Sequence, residues 1–219
     1  MCRPDITFLD IGANCGYYTA LFLSQAGPNG RIVALEPDPQ CFDFLTRTVA
    51  ANQGRNASCL QLAASNACGT TRLYRNLENR GDNRLYANEL AGDSCEVETR
   101  RIDCILRQLS IDSPQLVKID VQGYEGRVLQ GMKDTLCSSS TLTLLMEFWP
   151  TGLRQTGTEP LSVLTFLADC GFQLYLIDGG RRLQRLLDYE EVVGSLPDRR
   201  YVNLVALKGS RSSDLANAA

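Results

Sequence analysis

Short apolar runs alternate along the chain with longer stretches in which apolar residues recur every three or four positions. The runs at 6–11, 31–36, 58–63, 116–121, 142–148, 172–177 and 201–207 read as strands, most of them too continuously apolar to keep one face in water. Helical spacing marks 17–26, 38–52, 103–109, 125–132 and 158–171; in the second of these Phe42, Leu45, Val49 and Ala50 fall on one side. Punctuation agrees with the pattern: Gly27-Pro28 stops the first helix, Asp38 caps the second, and Pro160 sits in the first turn of the last. Strands alternating with helices predict a doubly wound α/β domain over 1–208, with a mostly parallel sheet. Between 69 and 102 the rhythm changes. Two short strand-like pieces, 71–74 and 95–99, flank a polar segment, which predicts a hairpin-like excursion inserted into the sheet. A turn is expected at Gly179-Gly180, and the small, polar segment 209–219 is expected to be a disordered tail.

The loops carry the chemistry. The first strand ends in Asp10, and the turn Gly12-Ala13-Asn14-Cys15-Gly16 hands over to a helix beginning Tyr17-Tyr18-Thr19. Glycine removes the Cβ and opens positive φ, and Asn14 is among the few other residues that tolerate it. The spacing is G-x-x-x-G, where a pyrophosphate loop wants G-x-G-x-x-G, so a nucleoside ligand without a pyrophosphate fits better than NAD. The second strand ends in Glu36-Pro37, and the proline keeps Glu36 out of helical conformation at the strand tip. A carboxylate there is placed to accept hydrogen bonds from both hydroxyls of a ribose. A ribose without a pyrophosphate points to S-adenosylmethionine. Ala64, beyond the third strand, is small enough to leave room for an adenine ring, although a simple strand end explains it equally well. Asp120 and Glu147 end two further strands, so four of the five principal tips carry a carboxylate.

Composition narrows the field. The chain has 219 residues, 22 basic and 25 acidic, a net charge of −3 and no histidine. A Ser-His-Asp hydrolase or a histidine general base is therefore excluded within this chain. The acidic balance argues against nucleic acid as substrate, despite the local groupings Arg181, Arg182, Arg185 and Arg199-Arg200. Nine cysteines are scattered without a C-x-x-C, which disfavours zinc. Cys15, Cys59, Cys104, Cys137 and Cys170 lie in or beside apolar stretches, where a free thiol serves as a small hydrophobe, and a cytoplasmic location is expected. No signal peptide and no membrane-length apolar run is visible.

The ordered set Asp10-Ile11-Gly12-Ala13-Asn14-Cys15-Gly16, Glu36-Pro37-Asp38-Pro39, Gly81-Asp82-Asn83-Arg84, 118–125 (Lys-Ile-Asp-Val-Gln-Gly-Tyr-Glu) and Met146-Glu147-Phe148 resembles the FkbM-type S-adenosylmethionine-dependent methyltransferases. The resemblance is strong over about 5–150. It implies the class I strand order 3-2-1-4-5-7-6, with the seventh strand antiparallel, and methylation of a hydroxyl on a sugar, glycoconjugate or natural product. Cofactor contacts are expected from Asp10, Gly12, Ala13, Asn14, Gly16, Tyr18, Thr19, Glu36, Pro37 and Ala64, and acceptor contacts from Asp82, Asn83 and Arg84. Asp120 is the candidate base, with Lys118 and Glu125 orienting it or the acceptor and Glu147 facing the acceptor beside it. No metal is expected. Rival readings are a regulatory module that binds S-adenosylmethionine without turnover, and an N-methyltransferase; a nucleic-acid N-methyltransferase would carry N/D-P-P-F/Y where Val121-Gln122-Gly123 stands.

Overall fold

The computed structural model describes residues 5–87, 92–177, 182–196 and 201–209. The elements in order are β1 Thr7–Ile11, α1 Tyr17–Leu23, β2 Arg31–Leu35, α2 Pro39–Ala51, β3 Ala57–Leu60, β4 Ala63–Ala64, β5 Gly69–Arg75, β6 Asp93–Arg100, α3 Ile102–Gln108, β7 Leu116–Ile119, α4 Glu125–Gly131, α5 Lys133–Ser138, β8 Leu142–Phe148, α6 Pro150–Gln155, α7 Pro160–Asp169, β9 Gln173–Ile177, β10 Leu183–Arg185, α8 Tyr189–Ser195 and β11 Val202–Lys208. A 3₁₀ turn at Arg80–Asp82 lies between β5 and β6.

The main sheet has the order β10-β9-β11-β8-β7-β1-β2-β3, parallel except where β11 pairs antiparallel with β8 and β9, and β10 with β9. Counting only the seven strands that the hydrophobic pattern predicts, this is 3-2-1-4-5-7-6, with one more strand, β10, at the edge. Its three residues Leu-Gln-Arg are too few to show alternation. The central strands are apolar on both faces because both are covered. Phe8, Ile32 and Ala34 pack with Phe22 of α1 and Leu45 of α2. Leu9, Ile11, Ile119 and Leu144 pack with α3 to α7 through Ile105, Leu129, Leu136, Leu153 and Leu164. Each is fully buried or nearly so, and truncating one of the leucines or isoleucines to alanine is expected to cost about 2–5 kcal/mol.

The excursion corrects the expected arrangement. It does not enter the main sheet; β5 and β6 pair antiparallel, and β4 joins β6 in parallel to make a second, three-stranded sheet. The third strand of the main sheet therefore ends at Leu60, short of 63, because Ala63 and Ala64 find their backbone partners at Thr99 and Arg100. Helices α5, α6 and α8 were not legible in the pattern; α8 opens on Asp188, whose carboxylate accepts from the Glu191 N–H. A second correction concerns cysteine. Cys137, in α5, and Cys170, just after α7, are joined by a disulfide because the ends of those helices meet, with the two Cα atoms 4.6 Å apart. Cys15 is an exposed free thiol rather than a small hydrophobe, whereas Cys59 and Cys104 are partly buried. No described helix is long and apolar enough to cross a membrane. The expected Gly179-Gly180 turn, Arg181, Arg199-Arg200 and positions 210–219 lie outside the described residues.

Candidate active site

The carboxyl ends of β1, β2 and β7 and the inner edge of the small sheet enclose a cavity of about 120 Å³. Its floor comes from the strand tips: Ile11 and Gly12, Leu35 to Pro37, and Asp120 to Gln122. An apolar wall, Leu62, Ala63, Ala64, Leu73 and Leu85, comes from the small sheet and its connections. Asn14 and the segment Arg80, Gly81 and Asn83 close it together, with the Asn14 amide 3.6 Å from where a Cβ on Gly81 would stand. Of the expected site residues, the cavity thus gathers Gly12, Asn14, Glu36, Pro37, Ala64, Asn83 and Asp120.

Glu36 is nearly buried, and its two oxygens accept from the backbone N–H groups of Asn14 at 2.8 Å and Asp38 at 2.9 Å. Burial pushes its pKa up to about 7, against the opposing pull of those two N–H groups. Each carboxylate oxygen has capacity for a further hydrogen bond, and Glu36 lines the cavity. Asn14 takes the left-handed conformation, φ 50°, that lets its N–H face Glu36.

Other members of the expected set stand behind the wall. Asp10 is fully buried; one oxygen accepts from the Thr19 hydroxyl at 2.7 Å and the other lies 3.3 Å from Lys118. Asp10 and Thr19 therefore support the loop and Lys118. Ala13 is buried against the α1–α2 side, and Tyr18 lies half-exposed with its ring 5.1 Å from the Lys118 ammonium. The two glycines answer to protein contacts as well. A Cβ on Gly12 would meet the Asp120 carbonyl at 2.0 Å, and one on Gly16 would meet Leu45 of α2 at 2.9 Å. The sequence reading assigned both to ligand approach; only Gly12 lines the cavity.

At the β7 tip, Lys118 donates to the Gly12 carbonyl at 2.9 Å and lies 3.6 Å from the Asp120 carboxylate. The Asp120 side chain is 40% exposed, so it is open to an incoming group. Gln122 donates to its other oxygen at 2.9 Å. The register of β7 with β8 pairs Ile119 with Met146, which sets Asp120 and Glu147 side by side on adjacent tips. Burial raises the Glu147 pKa to about 8, and the like charges of Asp120, Glu125 and Asp82 add to the shift. Glu125 does not touch Asp120. It is wholly buried, and one oxygen accepts from the N–H groups of Val121 and Gly123, both at 3.2 Å. Its role is to hold the turn after β7.

The polar connection between β5 and β6 reaches this same end of the sheet. Arg75 anchors it, donating at 2.7 Å to Asp38, the buried cap of α2. Burial works against the Asp38 anion, but the Cys41 N–H and Arg75 outweigh it and lower its pKa. Asp82 pairs with Arg84 at 2.6 Å, and Arg84 lies between the rings of Trp149, 4.8 Å away, and Tyr86, 5.6 Å away. Tyr86 donates to the Gln122 carbonyl at 3.0 Å. Asp82, Asn83 and Arg84 are thus brought beside the Asp120–Glu147 tips. Arg80, Gln122 and Trp149 stand inside motifs read from the sequence but were given no role there, and Tyr86 was not singled out. Among the described residues no group of three or more His, Cys, Asp or Glu side chains is placed to hold a metal ion.

The chain is similar to known proteins in sequence and fold. Residues 10–174 match the family described as "Methyltransferase FkbM domain". "Methyltransferase sdnD" of Sordaria araneosa is 29% identical over 78% of this chain and 75% of its own length. "2-O-methyltransferase NoeI" of Sinorhizobium fredii is 30% identical over 61% of this chain and 60% of its own, and "Hexuronic acid methyltransferase AglP" of Haloferax volcanii 26% identical over 62% and 54%. The solved structure of an FkbM methyltransferase from Methylobacillus flagellatus superposes with a TM-score of 0.60 at 16% identity, over 94% of this chain but 45% of that one, which establishes likeness of fold. This chain therefore spans between under half and three quarters of the proteins it resembles, and by its match over 10–174 it belongs to the FkbM methyltransferase family.

Proposed function

We propose that the protein is an S-adenosylmethionine-dependent O-methyltransferase whose acceptor hydroxyl belongs to a sugar, a glycoconjugate or a natural-product scaffold. One observation carries the reading: Glu36 and Asp120 line one cavity from the tips of β2 and β7, the two parallel strands that flank β1. The residues present fit the cofactor. Glu36 would receive the ribose hydroxyls, the wall from Leu62 to Ala64 with Leu73 and Leu85 is apolar and flat enough in composition for an adenine, and the acidic surroundings suit a sulfonium cation. Bound S-adenosylmethionine would supply an electrophilic methyl group.

The chain's own part is alignment and proton removal. Holding an acceptor in line supplies on the order of 7–11 kcal/mol of a displacement barrier. Asp120 takes the hydroxyl proton and passes it to solvent, to which its carboxylate is open. Lys118, fixed by Asp10 and the Gly12 carbonyl, holds one Asp120 oxygen in place. Trp149, Tyr86 and the Asp82–Arg84 pair flank the acceptor. The printed names of two relatives, a 2-O-methyltransferase and a hexuronic acid methyltransferase, favour oxygen and a carbohydrate. The test is transfer of labelled methyl from S-adenosylmethionine to a panel of methyl glycosides and glycolipids, with cofactor affinity read by calorimetry. Transfer to a hydroxyl is the expected result; failure to bind S-adenosylmethionine, or transfer only to nitrogen, would overturn the reading.

A further inference from the structure

The turn after β7 is built in a way that packing alone does not require. Gln122 has φ 53°, the left-handed region that side-chain-bearing residues avoid, and Gly123 follows at φ 96°. A glycine at 122 would adopt that backbone without the steric cost that a Cβ brings. The strained conformation is held from two sides. Glu125, buried, accepts from the N–H groups on either side of Gln122, at Val121 and Gly123. Tyr86, from the polar connection of the small sheet, donates to the Gln122 carbonyl at 3.0 Å, and its own hydroxyl accepts from Arg84 at 3.3 Å. What the strain secures is the direction of one side chain: the Gln122 amide donates to Asp120 Oδ1 at 2.9 Å, while Lys118 faces Oδ2 at 3.6 Å.

We propose that Gln122 is a positioning residue that orients the Asp120 carboxylate for proton removal, and that Tyr86 makes the small sheet part of that device. The carboxylate would otherwise rotate about its last bond, and a misdirected lone pair cannot meet the acceptor proton in line. Held by Gln122 on one oxygen and Lys118 on the other, it presents its remaining lone pairs in a fixed plane. The inference rests on the assignment of Asp120 as the base.

Gln122→Gly relieves the backbone and deletes the amide, so its melting temperature should not fall below that of the parent. Single-turnover transfer to a methyl glycoside should slow roughly ten- to hundredfold, with S-adenosylmethionine affinity unchanged. Gln122→Asn, which tolerates the backbone but falls one methylene short, should slow it similarly. In an Asp120→Asn background Gln122→Gly should cost nothing more, because no base is left to orient. Tyr86→Phe should raise amide hydrogen exchange at 122–124 about three- to tenfold, a measurement that needs no acceptor. Additive losses in the double variant, a parallel loss of cofactor affinity, a lowered melting temperature in Gln122→Gly, or unchanged exchange in Tyr86→Phe would each overturn the proposal. A parental rate in Asp120→Asn alone would instead remove the base assignment beneath it, and that variant reports on it separately.

Discussion

The two halves of the sheet end in carboxylates of opposite character. At the β1 and β2 tips, Asp10 and Glu36 are buried, and each oxygen already has a partner in Thr19, Lys118 or a backbone N–H. At the β7 and β8 tips, Asp120 is open to solvent and Glu147 is crowded by like charge. The first pair suits a preformed, rigid binding site, with Glu36 on the cavity and Asp10 bracing the loop beside it. The second suits a reaction in which a proton must leave and an acceptor must enter. The division falls between β1 and β7, and Lys118 spans it, touching Asp10 on one side and Asp120 on the other.

That contrast is most sharply tested at Asp120. Asp120→Asn keeps the shape and a hydrogen-bonding group but removes the proton acceptor, so single-turnover methyl transfer should fall about 10²–10⁴-fold. Calorimetry should meanwhile find S-adenosylmethionine affinity nearly unchanged. A fall in affinity matching the fall in rate would place Asp120 on the cofactor side and erase the division.

The next effect in size belongs to the buried half. Glu36→Ala should weaken cofactor binding by roughly 1.5–3 kcal/mol, the value of hydrogen bonds to a charged group, with the rate at saturation little altered. Because the Glu36 pKa stands at about 7, affinity in the parent should also rise with pH. Below pH 7 the carboxyl holds its proton and must release it to accept two ribose hydroxyls, so binding should weaken about tenfold from pH 8 to pH 6. An affinity independent of pH across that range would mean that Glu36 does not meet the ribose as an anion.

What the sequence made legible follows from the same division. Residues at strand ends were found because an apolar run ending in a carboxylate is a local signal, and all four tips lie at one edge of the sheet as expected. The partners of those tips were not local. Gln122 looks like any turn residue until its φ and its contact with Asp120 are known. Tyr86 and Leu85 acquire their places only because β5 and β6 form their own sheet and lean on α2 through the Arg75–Asp38 pair. The pairing of Asp10 with Thr19 and Lys118 could not be read, because the sequence gives the strand end but not which way its last side chain turns. The packing of Leu45 against Gly16 was equally out of reach, since the approach of α2 is a tertiary event.

A smaller effect is expected at Glu147. Its pKa of about 8 leaves it protonated at pH 7, where glutamine is its near isostere. Glu147→Gln should therefore lower turnover at pH 7 far less than Asp120→Asn does. A loss of equal size would make the two tips a single catalytic unit and Asp120 no longer the base by itself.

The smallest effect concerns stability, at the carboxylate that belongs to neither function. Glu125 is wholly buried; one oxygen receives two backbone N–H groups and the other has no hydrogen-bond partner. Burial raises its pKa from 4.5 to about 7. Between those values the folded protein keeps a proton that the unfolded chain has released, so this residue makes stability fall as pH rises through the window. Glutamine in its place keeps a carbonyl oxygen for Val121 and Gly123 but cannot ionise. The melting temperature of Glu125→Gln, measured relative to the parent, should thus climb from pH 5 to pH 8, by roughly 2–4 °C for each kcal/mol of relieved desolvation. Glu36 titrates in both proteins and cancels in the difference; Glu147, whose pKa the Glu125 charge helps to raise, is relieved in the variant and adds to the difference in the same direction. At pH 5, where the parent carboxyl is protonated, the two proteins should melt together or the variant slightly lower, since its amide then buries N–H groups without acceptors. A difference that stays constant from pH 5 to pH 8 would show that Glu125 holds the turn as an anion throughout, and that the turn beneath Asp120 is not tuned by burial.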